Sequence, residues 1–232
     1  TGLDLAAGDL FRTPCCSWPM ADRPLWAFVY RYGVLLGVLL AAAALVTYTL
    51  TWWLPERLLA WRRPALFLVL AAALGPGLTV NVIFKDHWGR PRPREVVELG
   101  GQERFLPVLV KGSDPQAKSF PCGHCAIGFY LSVPWLVLRR RRRALALGFL
   151  LAGLAWGATL GAARMMAGGH FLSDVIWSAG MVWLVALGLH RLLRPEEAPA
   201  PPSAEALARQ RGKARLLTVA GALALAGLTA AA

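Results

Sequence analysis

Three short clusters of residues able to do chemistry stand in order along the chain. The first is Lys85-Asp86-His87-Trp88-Gly89-Arg90-Pro91-Arg92-Pro93, the second Phe120-Pro121-Cys122-Gly123-His124, and the third runs from Arg164 through His170 to Asp174. As patterns they read K-x6-R-P, P-C-G-H and R-x5-H-x3-D. Together they offer three fixed cations, two imidazoles and one carboxylate. That set suits the capture and cleavage of a phosphate ester, in which cations hold the oxygens, a nucleophile attacks and an acid serves the leaving group.

Each cluster has its own logic and a plainer reading. His170 and Asp174 are four apart at the start of an apolar helix, so they project from one face a turn apart. A carboxylate on one ring nitrogen sets the tautomer and makes the other nitrogen the better nucleophile. Gly168-Gly169 lets the chain turn tightly into that helix, whose N-terminus favours an anion. The plainer reading is a structural His–Asp pair sealing a helix end. His124, after Pro121-Cys122-Gly123, sits at a helix start where it could give a proton to a leaving oxygen. Lys85, Arg90, Arg92 and Arg94 crowd the end of an apolar run; alone, such a group reads as a membrane-surface anchor. No other Asp/Glu/His grouping has metal-ligand spacing, so neither a metal nor another cofactor is required.

The elements that must position these residues are membrane helices. Of 232 residues, 56% are hydrophobic and only 16% charged, against about 25% charged in a soluble domain. Apolar runs long enough to span a bilayer fall at about 33–53, 65–84, 144–163 and 171–189, with two weaker ones at 125–138 and 216–232. The spacing therefore predicts an all-α, polytopic bundle of about six spans. The net charge of +12 is concentrated in one alternating set of loops: Arg57, Arg62 and Arg63; Arg139 to Arg143; and Arg191 to Arg215. By the positive-inside rule these are cytoplasmic and the three clusters face outward. This explains the basic balance better than nucleic-acid binding, which is excluded as a partner. Trp52, Trp53 and Trp61 mark one membrane boundary. Gly75-Pro76-Gly77 should loosen the second span, Asn81 reads as a helix-packing hydrogen bond, and Gly153, Gly157 and Gly161 as a close-packing stripe. The chain divides into an outward N-terminal segment (1–32), a bundle (33–189), a Pro-rich basic linker (190–215) and an additional apolar helix (216–232).

The three motifs in this order resemble the type 2 phosphatidic acid phosphatase (PAP2) superfamily, whose signature is K-x6-R-P, then P-S-G-H, then S-R-x5-H-x3-D. The resemblance covers about 33–189. It implies a helical bundle with a metal-free site at the outer membrane face. There His170 would attack phosphorus to give a phosphohistidine, Asp174 would orient it, and His124 would protonate the leaving oxygen and later activate water. Lys85, Arg92 and Arg164 would hold the phosphate, with the N–H groups of Cys122 and Gly123. Asp86, His87 and Arg90 have no place in the motif. Cys122 and Ala163 stand where the family has Ser, and a thiol is the poorer donor. The family core has one more helix before the first motif, which leads to the expectation of a missing upstream span.

The resemblance implies a membrane phosphatase acting on a lipid phosphate monoester or diphosphate, in the inner membrane of a bacterium with the site facing the periplasm. Lipid A, undecaprenyl diphosphate, phosphatidylglycerol phosphate and phosphatidic acid are candidate substrates. The 85–101 loop and the 120–125 stretch lean toward lipid A phosphatase-like members. A phosphotransferase using the same phosphohistidine is the nearest rival. The cysteines raise a reading of another class. Cys15, Cys16, Cys122 and Cys125 all fall on the outward side, where disulfides form, and their three connectivities stay open. Cys122-Gly123-His124-Cys125 spells the active site of a thiol–disulfide oxidoreductase, but no βαβ pattern surrounds it. A non-catalytic lipid-phosphate binder would not need the oriented His/His/Asp set.

Overall fold

Within a bilayer the backbone must satisfy its own hydrogen bonds, so long uncharged apolar runs become helices. The computed structural model describes residues 2–15, 17–21 and 23–196, together with 208 and 212. Its order is α1 (Gly2–Asp9), α2 (Pro24–Tyr32), α3 (Leu35–Trp53), α4 (Pro55–Ala72) continuing as a π-helix (Ala73–Lys85), α5 (Gly123–Tyr130), α6 (Pro134–Leu138), α7 (Arg143–Met166) and α8 (Leu172–Leu193). The long connection from 86 to 122 holds two short 3-10 turns, Pro93–Glu95 and Val97–Leu99. It is tied by isolated β-bridges between Arg90 and Lys118 and between Val96 and Glu103.

Among the described residues four helical stretches are long and apolar enough to cross a membrane: Pro24–Trp53, Leu58–Lys85, Arg143–Met166 and Leu172–Leu193. Two of the six expected spans are not among them, for different reasons. The weak run at 125–138 lies in a shorter apolar stretch, Gly123–Leu138, whose α-helix is interrupted between Tyr130 and Pro134. It lies inside the bundle, with Ala126, Phe129, Tyr130, Val133 and Leu136 buried. Hydropathy reports apolar content, and a central helix wrapped by protein is as apolar as one facing lipid. The run at 216–232 and most of the 190–215 linker lie outside the described residues.

The first span starts earlier than its apolar run, because α2 leads into α3 through a junction at Gly33. There the Trp156 Nε1–H donates to the Gly33 carbonyl at 2.8 Å, which ties the junction to α7. The second span is loosened where Gly75-Pro76-Gly77 predicts. A proline has no N–H to give and its ring crowds the preceding turn, and here the helix widens into a π-helix from Ala73 to Lys85. Asn81 Nδ2 donates to the Pro76 carbonyl at 2.7 Å, so its bond serves its own helix rather than a neighbour. The glycine stripe packs as expected. A side chain at Gly153 would strike the Ser132 backbone, one at Gly157 the Phe129 ring, and one at Gly161 Val175. Small residues thus bring α7 against α5 and α8. The largest buried cluster joins α4, the π-helix, α5, α6 and α8 through Phe67, Val80, Tyr130, Leu136 and Val182.

The bundle has two distinct ends. At one, α3 gives way to α4 beside Trp52, Trp53 and Trp61, all partly exposed, with the Arg62 guanidinium 3.6 Å from the Trp52 ring centre. Glu196 draws in Arg139 at 3.3 Å, Arg140 at 2.6 Å and His190 at 3.0 Å. At the other end lie Lys85, the N-terminus of α5, the C-terminus of α7 and the N-terminus of α8.

Candidate active site

The turn from α7 into α8 carries the third motif. Arg164 lies in the last turn of α7. Gly168 adopts φ +60°, and a side chain there would meet the Trp18 indole, so both backbone and space require glycine. The Gly168 carbonyl accepts from the Arg94 N–H at 3.1 Å, and the Gly169 N–H donates to the Arg164 carbonyl at 2.9 Å. His170 follows, almost wholly buried. Its Nδ1–H donates to the Ser119 carbonyl, which leaves the lone pair on Nε2, and Nε2 has no partner among the described residues. Burial pushes the imidazole down from its ordinary 6.5 to about 4. Arg164 and Lys85 lower it further, and Asp174 opposes them. At neutral pH the ring is uncharged.

Asp174 is at the third position of α8. Its Oδ2 lies 3.7 Å from His170 Nδ1, close but beyond a hydrogen bond. The Ser119 carbonyl thus takes the Nδ1 proton, and the Asp174 carboxylate lies beside the ring as the four-residue spacing predicts. The carboxylate acts through Ser119, whose hydroxyl donates to Oδ2 at 2.6 Å, and it accepts the Phe171 N–H at 2.8 Å. Its Oδ1 takes Arg90 Nη1. Arg90 is fully buried and donates from Nε to the Leu106 carbonyl at 2.9 Å, from Nη1 to Ser173 Oγ at 2.9 Å and from Nη2 to Asp4 Oδ2 at 2.9 Å. Its guanidinium also stands over the Phe171 ring. Asp4, from α1, accepts the Ser173 N–H at 2.9 Å and the Ser173 hydroxyl at 2.7 Å. A carboxylate from the far end of the sequence thus caps α8, where free N–H groups and the helix dipole favour negative charge.

The three motif cations converge. Lys85 ends the π-helix within the electrostatic reach of Arg92 and Arg164. The same field from Lys85 and Arg164 acts on His124. Tyr30 of α2 links two of these groups: the Arg164 guanidinium lies 4.4 Å from its ring centre, and His124 stacks on it at 5.2 Å. A cavity of about 530 Å³ opens beside them, bordered by Arg92, Arg164, Tyr30 and Gly169 among others. His170, Asp174, Lys85, Arg92, Arg164, His124, Cys122 and Gly123 therefore gather at one end of the bundle.

The second motif departs from expectation in two ways. Cys122 and Cys125 form a disulfide, and the Cys122 sulfur accepts the Cys125 N–H at 3.3 Å. It carries no thiol proton to offer a phosphate. The Cys122 N–H is directed to the Asp174 carbonyl at 3.4 Å, so the first turn of α5 offers anions the N–H groups of Gly123 and His124 instead. Cys15 is a free, exposed cysteine; Cys16 lies outside the described residues. Asp86 pairs with Lys118 at 2.9 Å, and this hydrogen bond holds its carboxyl below the usual range. His87 bonds the Val82 carbonyl at 3.0 Å. Neither takes part in the Asp174 network. Among the described residues no group of three or more His, Cys, Asp or Glu side chains could hold a metal ion.

Sequence reasoning passed over five residues that build this site. Arg90 was set aside as outside the motif, although a charge enclosed by Gly89 and Pro91 beside a membrane helix was a signal. Ser119 and Ser173 each adjoin a motif residue and could have been weighed. Asp4, the first acidic residue of an otherwise apolar helix, and Tyr30 carry no local signal of their role.

A family model described as the PAP2 superfamily matches residues 64–197. Over 134 residues the chain is 38% identical to the "Lipid A 4'-phosphatase" of Francisella tularensis subsp. novicida (strain U112), covering 57% of this chain and 60% of that protein. It is 33% identical over 118 residues to the protein of that name from Rhizobium leguminosarum, covering 49% of each. With the Rhizobium etli (strain ATCC 51251 / DSM 11541 / JCM 21823 / NBRC 15573 / CFN 42) protein of the same name it shares 34% over 122 residues, 50% of this chain and 46% of that one. The chain thus spans about half to three-fifths of the length of these relatives. No solved structure matches it.

Proposed function

Because this chain belongs to the PAP2 superfamily, we propose that it is a membrane phosphatase that hydrolyses a lipid phosphate through a phosphohistidine on His170. The observation that carries this reading is the setting of that ring: buried, tied at Nδ1 to the Ser119 carbonyl, with Nε2 unpartnered among the described residues. The Nε2 lone pair attacks phosphorus, the N–P bond forms and the P–O bond to the lipid breaks. Lys85, Arg92 and Arg164 balance the charge on the phosphoryl oxygens, and the N–H groups of Gly123 and His124 add to that cradle. Burial, then Arg164 and Lys85, push the His124 imidazole down to about 4. The negative charge of a bound phosphate offsets those cations and favours its protonated form. His124, stacked on Tyr30, then gives its proton to the departing lipid oxygen. It then takes a proton from water, whose oxygen attacks phosphorus; the N–P bond breaks and phosphate leaves with His170 restored. Asp174 and Arg90 position the ring through Ser119.

The three relatives are named for lipid A, which supports a phosphorylated glycolipid as substrate class. The basic end of the bundle supports a cytoplasmic side there and a periplasm-facing site in a bacterial inner membrane, by the positive-inside rule. The oxidoreductase reading of Cys122-Gly123-His124-Cys125 is disfavoured, since both cysteines are completely buried and exchange needs an attacking thiolate to reach a sulfur. The test is phosphate release from a panel of lipid phosphates, with products identified by mass. Wild type should release inorganic phosphate and form an acid-labile phosphoprotein, and His170→Ala should do neither. Phosphate release by His170→Ala would end this reading, and phosphate appearing on a second lipid would replace hydrolysis with transfer.

A further inference from the structure

The connection between the second span and α5 carries an apolar tip that the site does not use. It reads Phe105-Leu106-Pro107-Val108-Leu109-Val110, with Arg104 before it and Lys111 after it. Two of these side chains turn inward. Phe105 meets the Phe171 ring at 5.3 Å, and Val108 packs against the main buried cluster. Leu109 and Val110 do the opposite, with 70% and 45% of their surface open. The Val110 N–H donates to the Pro107 carbonyl at 2.9 Å, so a tight turn presents them. An apolar tip of this kind is unfavourable in water and marks a contact surface.

The tip is fixed to the elements that carry the site. The Arg90 Nε–H donates to the Leu106 carbonyl at 2.9 Å, the Trp88 Nε1–H to the Val108 carbonyl at 3.0 Å, and the Gly112 N–H to the Trp88 carbonyl at 2.9 Å. Its depth follows from the helices and from a ladder of rings. Trp88 comes just after Lys85, the end of the second span. It lies 5.0 Å from the Phe120 ring, which lies 6.2 Å from that of Trp177. The 22 residues of α8 cover about 33 Å at the helical rise, close to the thickness of a hydrocarbon core. Trp177, partly exposed, therefore stands about 8 Å below the membrane boundary at the site end. Two ring contacts and one hydrogen bond separate that indole from the turn, which sets the turn at headgroup depth.

We propose that the Pro107–Val110 turn is a membrane-interface wedge. Leu109 and Val110 enter the acyl edge of the leaflet on the site side, while Arg104 and Lys111, both exposed, stay among the lipid headgroups. The partner is the protein's own bilayer rather than another protein, because the tip lies at headgroup depth with a cation on each side of it. Apolar residues sink in that arrangement and charged heads stay wet. Through Arg90 the wedge is joined to the Asp174 network, so it fixes the depth at which the site meets a lipid. This membrane contact does not depend on the phosphatase reading.

The full chain is placed in phosphatidylcholine nanodiscs with a nitroxide at Leu109→Cys, Lys111→Cys or Ser113→Cys, each combined with Cys15→Ser and Cys16→Ser. Collisions with oxygen, which concentrates among acyl chains, and with a water-soluble nickel chelate report depth. The oxygen-to-nickel ratio should fall in the order 109, 111, 113, several-fold between the two ends. Equal ratios at 109 and 113 place the tip in water and overturn the wedge. Shielding of 109 from both reagents means that protein covers it, which overturns the wedge as well. A diazirine side chain at position 109 of the otherwise unaltered protein gives a second measurement without a nitroxide. On illumination the protein should gain the mass of a phospholipid. A cross-link to a second copy, or the addition of water alone, overturns the proposal. Neither measurement reads phosphate release, so failure of the wedge and failure of the phosphatase reading stay distinct.

Discussion

The two ends of the bundle both pair arginines with carboxylates, and to opposite effect. At the site end Arg90 is sealed between Asp4 and Asp174, with every group in that network almost fully buried. At the basic end Glu196 serves Arg139, Arg140 and His190 near the surface, with the Arg140 side chain 74% exposed. In water an ion pair is weak because solvent competes for both partners. Removed from water, each charge depends on the other, and losing one strands the rest. The site end is thus specified by geometry, while the basic end needs only the sign of its charge.

Substitution should expose that difference, beginning with the largest effect. Arg90→Met leaves two buried carboxylates without their cation and should cost about 3–5 kcal/mol of stability, with loss of phosphate release as Asp174 and Ser119 shift. Thermal unfolding in detergent beside an activity assay measures both, and a variant as stable as wild type would erase the contrast between the ends.

Acid should also act on the site end. The unfolded His170 takes a proton near 6.5 and the folded one near 4. Above 6.5 neither state is protonated, so the residue contributes no pH dependence. Between 6.5 and 4 only the unfolded chain binds the proton, so stability is lost as the pH is lowered, by roughly 3 kcal/mol in all; below 4 the effect is flat. Unfolding midpoints of wild type and His170→Gln across this window should diverge, the variant showing the shallower slope. Parallel curves would mean that the ring is not held neutral.

Losing the Cys122–Cys125 bridge should be milder. Loop closure over so short a segment is worth about 2 kcal/mol, read as a lower unfolding midpoint in Cys122→Ser with Cys125→Ser. An unchanged midpoint would show that the bridge adds nothing to stability. The smallest effect belongs to the basic end: Glu196→Gln should cost less than about 1 kcal/mol and leave phosphate release untouched. A loss of activity there would show that the two ends are coupled.

Much of this molecule was legible in the amino-acid order. Apolar runs located the four long helices because lipid demands continuous hydrophobic length. Motif spacing gathered Lys85, Arg92, His124, Arg164, His170 and Asp174 because each lies where a helix enters or leaves the bundle. What escaped had physical reasons. The 125–138 run links the site end to the basic end as a shorter, broken helix, whereas a hydropathy window registers neither the break before Pro134 nor the protein that surrounds it. Asp174 was assigned to His170 by helical spacing, but spacing cannot reveal that a backbone carbonyl 51 residues away takes the Nδ1 proton first. Asp4 and Tyr30 act across the whole length of the chain, beyond the reach of any local pattern.

The bond from Ser173 to Asp4 joins residues 169 positions apart. Synthesis proceeds from the N-terminus, so α1 emerges long before the helix it caps. His170, Ser173 and Asp174 appear only with the last described span, and α1 must wait for that span before its carboxylate has a helix end to meet. Contacts of such long sequence separation form late, since the intervening chain must be ordered first. The gathered site is thus completed late in assembly, and partly inserted chains hold Lys85 and Arg92 without His170.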